Sequence, residues 1–377
     1  MDKVTHQAES TGAGAVLYMA MELSTTKWHL VFGIDAATPM RHRTIAAGAV
    51  ASLREEIRKA RVRFTLSTEA GVRSCYEAGR DGFWVHRLLT QEGVENLVVD
   101  SSSIDVNRRY RRAKTDRLDG LALCRKLVQY WSGDRRTWKV VHVPSAALED
   151  SRQAERGIGT LTAERTAWRN RIHALLMLVG VRTTITADFG DRLDGLRTWA
   201  GEPLLPGLLG RLRQAWVMLT SVERELRAAR QAQRDEVAAA ATGPAQIAAQ
   251  LRRLHAIGDG TAAVLAKELF SRDLHNRREV GALTGLVGVP YNSGDTAREQ
   301  GISRAGLARV RGLAVELAWL WRRYQPHSAL TRWFEARFGA GGKRARKIGI
   351  VALARRLMVA LWRYTQTGIV PEGATVR

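Results

Sequence analysis

Two aspartates, Asp116 and Asp119, stand three residues apart in a segment that otherwise has the pattern of a helix. Residues at this spacing share one helix face, so the two carboxylates should point the same way. Like charges on one face repel each other, and a bound cation relieves that repulsion. The spacing therefore predicts either a site for a hard cation or two side chains that are simply exposed to water.

Basic residues crowd the same region of the chain. They are Arg108, Arg109, Arg111, Arg112, Lys114 and Arg117. The whole sequence has 59 Lys+Arg against 37 Asp+Glu, a formal net charge of +22, and further basic clusters at 343–347 and 355–356. This balance is typical of proteins that bind nucleic acid through its phosphates. We therefore expect a polyanionic partner close to the two aspartates.

The composition argues against several other classes of protein. No window approaches the ~18 uncharged apolar residues that a spanning helix needs, and the N-terminus lacks the pattern of a signal peptide. The only cysteines, Cys75 and Cys124, are too few for a disulfide framework or a thiolate zinc site. We expect a cytoplasmic protein without a membrane partner, whose 377 residues form two or three domains.

The elements that precede the aspartates must bring further acids to them. The sequence predicts strands at 16–22, 27–34, 42–47, 72–76 and 96–99, and helices at 49–62, 82–92 and 114–130. Three strands, helix, strand, helix, strand and helix is the element order of an RNase H-like mixed sheet with helices on its faces. The predicted fold class is therefore α/β in this region.

Acids at two strand ends could reach the same edge of this sheet as the aspartate pair. Glu22 closes the first strand, and Glu77 directly ends the run at 72–76. Together with the two aspartates they make four carboxylates, which could hold two Mg²⁺ ions about 4 Å apart for phosphoryl transfer. Asp35 also follows a strand and is an alternative to Glu22, whereas Glu69 lies in a loop and is a weaker alternative to Glu77.

The rest of the chain is predicted to be mainly helical. Long helical patterns at 145–179 and 207–239 suggest an antiparallel hairpin, whose apolar stripe serves either packing within the chain or a coiled-coil dimer contact. A composition shift near 243–244 marks a boundary. The following turn with Gly258 and Gly260 resembles a helix-hairpin-helix that holds a DNA phosphate, although a glycine turn between helices is also ordinary.

A glycine-rich, basic loop follows and leads into a predicted helix at 306–324. It carries Ser293, Arg298 and Arg304. A serine exposed beside arginines could attack a phosphodiester, or it could cap a turn. The residues alone leave both roles of Ser293 open.

Three motifs in this order resemble the DEDD transposases of bridge-RNA-guided insertion sequences, over a match from about residue 16 to the C-terminus. They are Glu77-Ala78-Gly79 before a helix, the KTDRLD segment that ends at Asp119, and Asn292-Ser293-Gly294 followed by the REQGIS segment at 298–303. The resemblance implies a RuvC-like domain at 14–143, a helical coiled-coil hairpin at 144–242, and a mainly helical transposase domain at 245–368. The last of these domains carries the catalytic serine.

The resemblance also implies roles for individual residues and partners. Glu22, Glu77, Asp116 and Asp119 would bind two Mg²⁺ ions, and Ser293 would form a phosphoserine link to DNA. The partners would be double-stranded target and donor DNA, a structured guide RNA, and a second protomer, with a tetramer in the synapse. Such a recombinase would work on the nucleoid in the bacterial cytoplasm. Glu22 departs from the family pattern, in which an aspartate is expected.

Two other functions fit the same residues. A Holliday-junction-type nuclease would hydrolyse DNA with metal-activated water and would leave Ser293 in a structural role. A non-catalytic nucleic-acid-binding derivative of a transposase would lack cleavage altogether, and the glutamate at position 22 is the feature in its favour.

Overall fold

A computed structural model of the protein describes residues 15–104, 116–239, 242–293 and 296–377, with the backbone alone for 116, 117, 293 and 296–299. The chain separates into two compact units, Met1–Val143 and Pro144–Arg377. The second unit contains both the long helices and the C-terminal elements, which the sequence-based division assigns to two domains. Within the described residues, no helix is long and apolar enough to cross a membrane.

The first unit has the predicted order of strands and helices. Its elements are β1 (Leu17–Leu23), β2 (Lys27–Gly33), β3 (Arg41–Ala46), α1 (Val50–Arg63), β4 (Val72–Glu77), α2 (Trp84–Gln91), β5 (Glu95–Val99), a 3₁₀ turn (Ser101–Ser103) and α3 (Asp116–Trp131). The mixed α/β class predicted for this region is confirmed, and most element ends lie within two residues of the predicted ones.

The five strands form one mixed sheet in the order β3-β2-β1-β4-β5. β1 pairs antiparallel with β2, and β2 pairs antiparallel with β3. A tight turn joins β1 to β2, in which the Ser24 hydroxyl donates to the Lys27 carbonyl at 2.7 Å. β1, β4 and β5 run parallel, because α1 and α2 supply the crossover connections that parallel strands need.

Side chains alternate between the two faces of the sheet. Leu17, Met19 and Met21 of β1 lie in the larger core, which the first helix lines with Leu53 and the second with Val85. The opposite face forms a smaller core with the third helix. Its members include Ala20, Val31, Cys75, Leu123, Cys124 and Leu127. α3 therefore covers the face on which the even-numbered residues of β1 lie.

The second unit is mainly helical. Its elements are α4 (Ala146–Met177), α5 (Phe189–Arg192), a 3₁₀ turn (Leu193–Gly195), α6 (Pro206–Ala239), α7 (Gly243–Arg252), α8 (Asp259–Val264), a π-helical segment (Leu265–Phe270), α9 (Arg277–Thr284), β6 (Gly288–Ser293), β7 (Thr296–Ile302), α10 (Ala308–Tyr324), α11 (Ala329–Phe334), a second π-helical segment (Glu335–Gly339) and α12 (Lys343–Thr367).

The two long helices α4 and α6 pack side by side and antiparallel. Gln233 near the end of α6 donates to both carboxylate oxygens of Glu155 near the start of α4, at 2.8 and 2.7 Å. At the other end of the pair, Arg169 contacts Glu223 at 3.2 Å. The apolar stripe is buried within the pair at residues such as Ile172. The antiparallel hairpin is thus present, and its role as a coiled-coil dimer contact stays a prediction.

The segment that carries Ser293 differs from the predicted loop. β6 and β7 form a two-stranded antiparallel sheet, in which Tyr291 is opposite Arg298 and Ser293 is opposite Thr296. The register is irregular between Gly288 and Pro290. The glycine and proline residues that suggest a loop lie at the irregular base of this hairpin and between its two strands. Two residues are enough to connect antiparallel strands, so a long loop is not needed. Ser293 therefore ends a strand.

Candidate active site at the end of the central sheet

Glu22 and Glu77 are neighbours on adjacent parallel strands. In the β1–β4 pair Met21 is opposite Tyr76, so the next residue of each strand is one of the two glutamates. Backbones of adjacent strands are about 4.8 Å apart. Glu22 is half-buried and Glu77 is exposed. The parallel pairing thus brings two carboxylates together where both strands end.

Both glutamates lie on the face that α3 covers. Glu22 comes two residues after Ala20, and Glu77 comes two residues after Cys75, both of which pack under this helix. The charge of Glu77 also acts on Cys75: burial raises the pKa of that thiol well above its ordinary value, and Cys124 and Glu77 raise it further. The Glu77 carboxylate is therefore close to this face of the sheet.

The start of α3 lies at the same end of the sheet. A Cβ at Gly120 would be 2.8 Å from Val31 Cγ2 and 3.3 Å from the Cδ2 atom of His29, the residue opposite Glu22 in the β1–β2 pair. Only glycine permits this close approach of helix to strand. Asp119, which precedes Gly120, is half-buried here. Asp116 is one turn earlier and begins the helix, and its side chain lies outside the described residues.

The residue types at this end of the sheet fit a hard cation. Among the described side chains, no group of three or more His, Cys, Asp or Glu lies closely enough to hold a metal ion. The side chain of Asp116 lies outside the described residues. Glu22, Glu77 and Asp119 offer carboxylate oxygens, which Mg²⁺ prefers over nitrogen or sulfur. The complete set of metal ligands stays a prediction.

The structure separates the alternative acids from this site. Asp35 follows the far end of β2, and its carboxylate accepts hydrogen bonds from the Thr38 backbone N–H at 2.6 Å and the Thr38 hydroxyl at 2.9 Å. The backbone bond from Thr38 is the largest cause that lowers the pKa of Asp35. Glu69 precedes β4. Both residues are therefore at the opposite end of the sheet from Glu22 and Glu77.

Two histidines beside the acids are absent from the sequence-based site. His29 Nε2 is 3.3 Å from His42 Nδ1, and His29 Nδ1 is 3.1 Å from the Thr44 hydroxyl. His29 lies in the same strand alternation as Val31, which faces α3. The alternation of side chains along β2 could therefore have predicted that His29 lies on the same face as the acids.

Comparison with known proteins identifies the family. The model of the transposase IS116/IS110/IS902 family matches residues 248–332 of this chain. Over 376 residues the chain is 39% identical to "Putative transposase y4rJ" of Sinorhizobium fredii (strain NBRC 101917 / NGR234), which covers 96% of this chain and 94% of that protein. This chain belongs to the IS116/IS110/IS902 family of transposases.

A second relative supports the same assignment over part of the transposase. "Putative transposase y4qE" of the same strain is 27% identical over 257 residues, or 67% of this chain and 59% of that protein. The transposase is therefore a protein of an insertion sequence and acts in transposition. Its substrate is accordingly expected to be DNA.

The segment matched by the family model contains the predicted helix-hairpin-helix. In the transposase, Gly258 ends the connection between α7 and α8, and Gly260 lies in the first turn of α8; both glycines are exposed. Asp259, between the two glycines, forms an ion pair with Arg252 at 2.6 Å. Two helices with a glycine at their connection are thus present, and the binding of a DNA phosphate there stays a prediction.

The matched segment of the transposase also contains Ser293. Its backbone ends β6, whereas its side chain and that of Arg298 lie outside the described residues. Arg304 follows β7, is exposed, and has a left-handed backbone with φ 55°. Arg108, Arg109, Arg111, Arg112 and Lys114 fall outside the described residues, as does the side chain of Arg117.

Proposed function

We propose that this transposase is an RNA-guided DNA recombinase with a two-metal carboxylate site in the first unit and Ser293 as nucleophile. The observation that carries the proposal is that Glu22 and Glu77 directly follow the paired residues Met21 and Tyr76 of adjacent parallel strands, on the face covered by the helix that carries Asp119. The strand order β3-β2-β1-β4-β5 supports an RNase H/RuvC-like reading of this unit.

The four acids would hold metal ions next to the phosphate of the cleaved strand. Mg²⁺ ions held there would supply charge neutralisation and activation of oxygen for phosphoryl transfer. Glu22, Glu77, Asp116 and Asp119 would orient that site, because strands and helices hold side chains more rigidly than loops. Without a bound cation, carboxylates this close would repel one another.

Ser293 would keep the energy of the broken phosphodiester in a covalent link. Its hydroxyl oxygen would bond to phosphorus as one P–O ester bond of the DNA breaks, with the serine proton lost to a base and a hydroxyl left on the released strand. Attack by a strand hydroxyl on the phosphoserine would reverse these bonds and rejoin DNA. The position of Ser293 at the end of a strand, and not within a packed helix, supports this role.

A guide RNA would supply the choice of sequence. A net charge of +22 favours binding to nucleic-acid backbones, which carries no sequence information by itself. Sequencing of RNA that copurifies with the protein tests this part of the proposal. We expect one structured species encoded beside the transposase gene, and a random sample of cellular RNA would contradict guidance.

The metal site is tested by strand exchange with matched carboxylate variants. We expect Asp119→Asn and Glu22→Gln to abolish exchange in Mg²⁺ while DNA affinity stays the same or rises, since loss of a negative charge does not weaken phosphate contacts. Asp35→Asn is the control, because Asp35 lies at the other end of the sheet. Exchange at the wild-type rate by Asp119→Asn would show that the acid assignment is wrong.

The serine is tested by trapping covalent DNA on denaturing gels. Ser293→Ala should give no adduct, whereas Ser303→Ala, just beyond the same hairpin, should give the normal yield. Full strand cleavage by Ser293→Ala without an adduct would instead favour the hydrolytic nuclease. An adduct of normal yield with Ser293→Ala would eliminate this serine as the nucleophile.

A further inference from the structure

A large basic cleft lies within the second unit. It has a volume of about 1330 Å³ and is bordered by α9, the base of the β6–β7 hairpin, α11 and α12. Clefts for small ligands are usually about 300–1,000 Å³. The size therefore suits a segment of a polymer better than a metabolite.

All of the charged residues that line this cleft are cations. Eight of its 20 lining residues are Arg or Lys, and none is Asp or Glu. Five of the eight are on α12: Arg344, Lys347, Arg355, Arg356 and Arg363. Within the part of the chain that the structure describes, no ion pair with a carboxylate is found for any of the eight. A cluster of cations without acids repels itself, so a polyanion is the complementary partner.

An apolar strip runs between these cations. Ile348, one turn after Arg344 on α12, is 57% exposed, and Val351 continues the strip at the same helical spacing. Trp333 of α11 joins it, with the Arg356 guanidinium 4.0 Å above its ring. Contacts to duplex phosphates need no such surface. The flat faces of unpaired bases do, because they stack on aromatic and apolar side chains.

The cleft is continuous with the hairpin that carries Ser293. Gly288 and Ile302 pair at the base of that hairpin, and both line the cleft. Ser293 is five residues along the strand from Gly288, or about 17 Å at 3.3 Å per residue. A strand seated in the cleft would therefore lie within a short reach of the hairpin tip.

We propose that this cleft binds an unpaired strand of substrate DNA, with the cations on its phosphates and Ile348, Val351 and Trp333 against its bases. The choice of DNA over RNA rests on the proposed function, because a strand that reacts with Ser293 must be DNA. The binding itself requires neither the metal site nor the serine hydroxyl.

The experiment measures binding of fluorescent oligonucleotides of one sequence by the full-length protein in EDTA. The probes are single-stranded DNA, the matching duplex and single-stranded RNA. The cleft variant is Arg344→Gln with Lys347→Gln. The control is Lys343→Gln with Arg346→Gln, which removes the same charge from the same turn of α12 but from residues that do not line the cleft.

We expect the cleft variant to bind single-stranded DNA about tenfold more weakly than wild type. The slope of log K against log salt should become about 1.4 less steep, because each of the two lost phosphate contacts accounts for about 0.7 of the slope on a single strand. The control should change both quantities by much less. Ile348→Ser should weaken single-stranded DNA more than duplex. All four substituted cations are exposed, so the fold should persist in both variants.

Three results would overturn the proposal. Equal losses in the cleft variant and the control would indicate general attraction by charge, and equal binding of duplex would indicate contacts to phosphates alone. Tighter binding of RNA would make the cleft an RNA site. The same measurements on Ser293→Ala separate this proposal from the proposed function: normal binding without adduct formation leaves the cleft intact and implicates only the serine.

Discussion

At the scale of single residues, two cysteines pack in the core beside the candidate active site. Cys75 of β4 and Cys124 of α3 are fully buried in the core between sheet and helix. Burial raises the pKa of Cys124 to about 12 and that of Cys75 well above the ordinary 9.0. Both thiols are therefore neutral in the folded state. Ionisation of either thiol would weaken the packing of α3, the helix that carries Asp119, against the sheet.

This burial predicts a loss of stability at alkaline pH. A thiol whose pKa is raised by folding contributes fully below pH 9 and loses its contribution as pH rises toward about 12, because only the unfolded chain readily loses the proton. The free energy of unfolding should fall by up to about 1.4 kcal/mol per pH unit for each thiol. We expect denaturant titrations of Cys124→Ala between pH 8 and pH 10.5 to show a smaller slope than wild type, by roughly that amount.

The other ionising groups, tyrosines included, are the same in both proteins and cancel in the comparison. Equal slopes would show that the Cys124 thiol is not held neutral by the fold. Alkylation offers a check on the same point, since both buried thiols should react only after unfolding.

At the scale of elements, a buried polar network joins the long helices to the π-helical segment at Leu265–Phe270. Lys267 is 1% exposed, and its Nζ contacts Glu155 of α4 at 3.2 Å and Glu236 of α6 at 2.8 Å. Gln233 donates to Glu155, and Arg152 donates to the Lys267 carbonyl at 2.8 Å. Removal of one member leaves another group buried without its partner, so the network should specify how these elements pack.

Lys267→Met should therefore be strongly destabilising. This substitution leaves the buried Glu155 carboxylate without its cation. We therefore expect the free energy of unfolding, measured by urea titration, to fall by about 3–5 kcal/mol. Addition of Glu155→Gln should recover part of the loss, because it removes the orphaned charge while the amide oxygen still accepts from Gln233. The control is Arg213→Met, which breaks an exposed ion pair with Asp194 and should cost under about 1 kcal/mol. Equal losses in the two single variants would contradict a structural role for the network.

At the scale of the whole molecule, the tip of the helical hairpin exposes large apolar side chains. Leu178 is 79% exposed, Trp199 is 83% exposed, and Leu205 is 76% exposed. The backbone N–H of Trp199 donates to the Val179 carbonyl at 3.0 Å, so the backbone at Trp199 runs next to the residue that follows Leu178. A grouped apolar surface of this kind favours contact with another protein surface.

We expect the transposase to self-associate through this end of the hairpin, in keeping with the predicted dimer. Light scattering should show a wild-type dimer, and Leu178→Ser with Trp199→Ser should shift it toward the monomer while circular dichroism shows unchanged helix content. Ile369→Ser is the control, since Ile369 is 73% exposed elsewhere in the same unit. A wild-type monomer both free and bound to nucleic acid would remove the prediction.

The sequence by itself determined the order of strands and helices in the first unit and the antiparallel helical hairpin of the second. Alternation of apolar residues marks the strands, and the spacing of the leucines beside Asp119 marks a helix, since both are local properties of the chain. The family motifs around Glu77 and Ser293 are local as well. These features therefore needed no knowledge of which residues meet in space.

Only the tertiary structure shows that Glu22 lies at the same end of the sheet as Glu77 and that Asp35 lies at the other end, because this depends on the direction of β2 relative to β1. The same holds for the hairpin at Ser293, whose strands, GVPYNS and TAREQGI, lack a clear alternation of apolar and polar residues. The basic cleft is the clearest case. Arg278, Arg304 and Arg356 are separated widely in sequence and line one cleft because the packing of α9, the hairpin and α12 brings their backbones together. Such long-range packing is the information that local spacing does not contain.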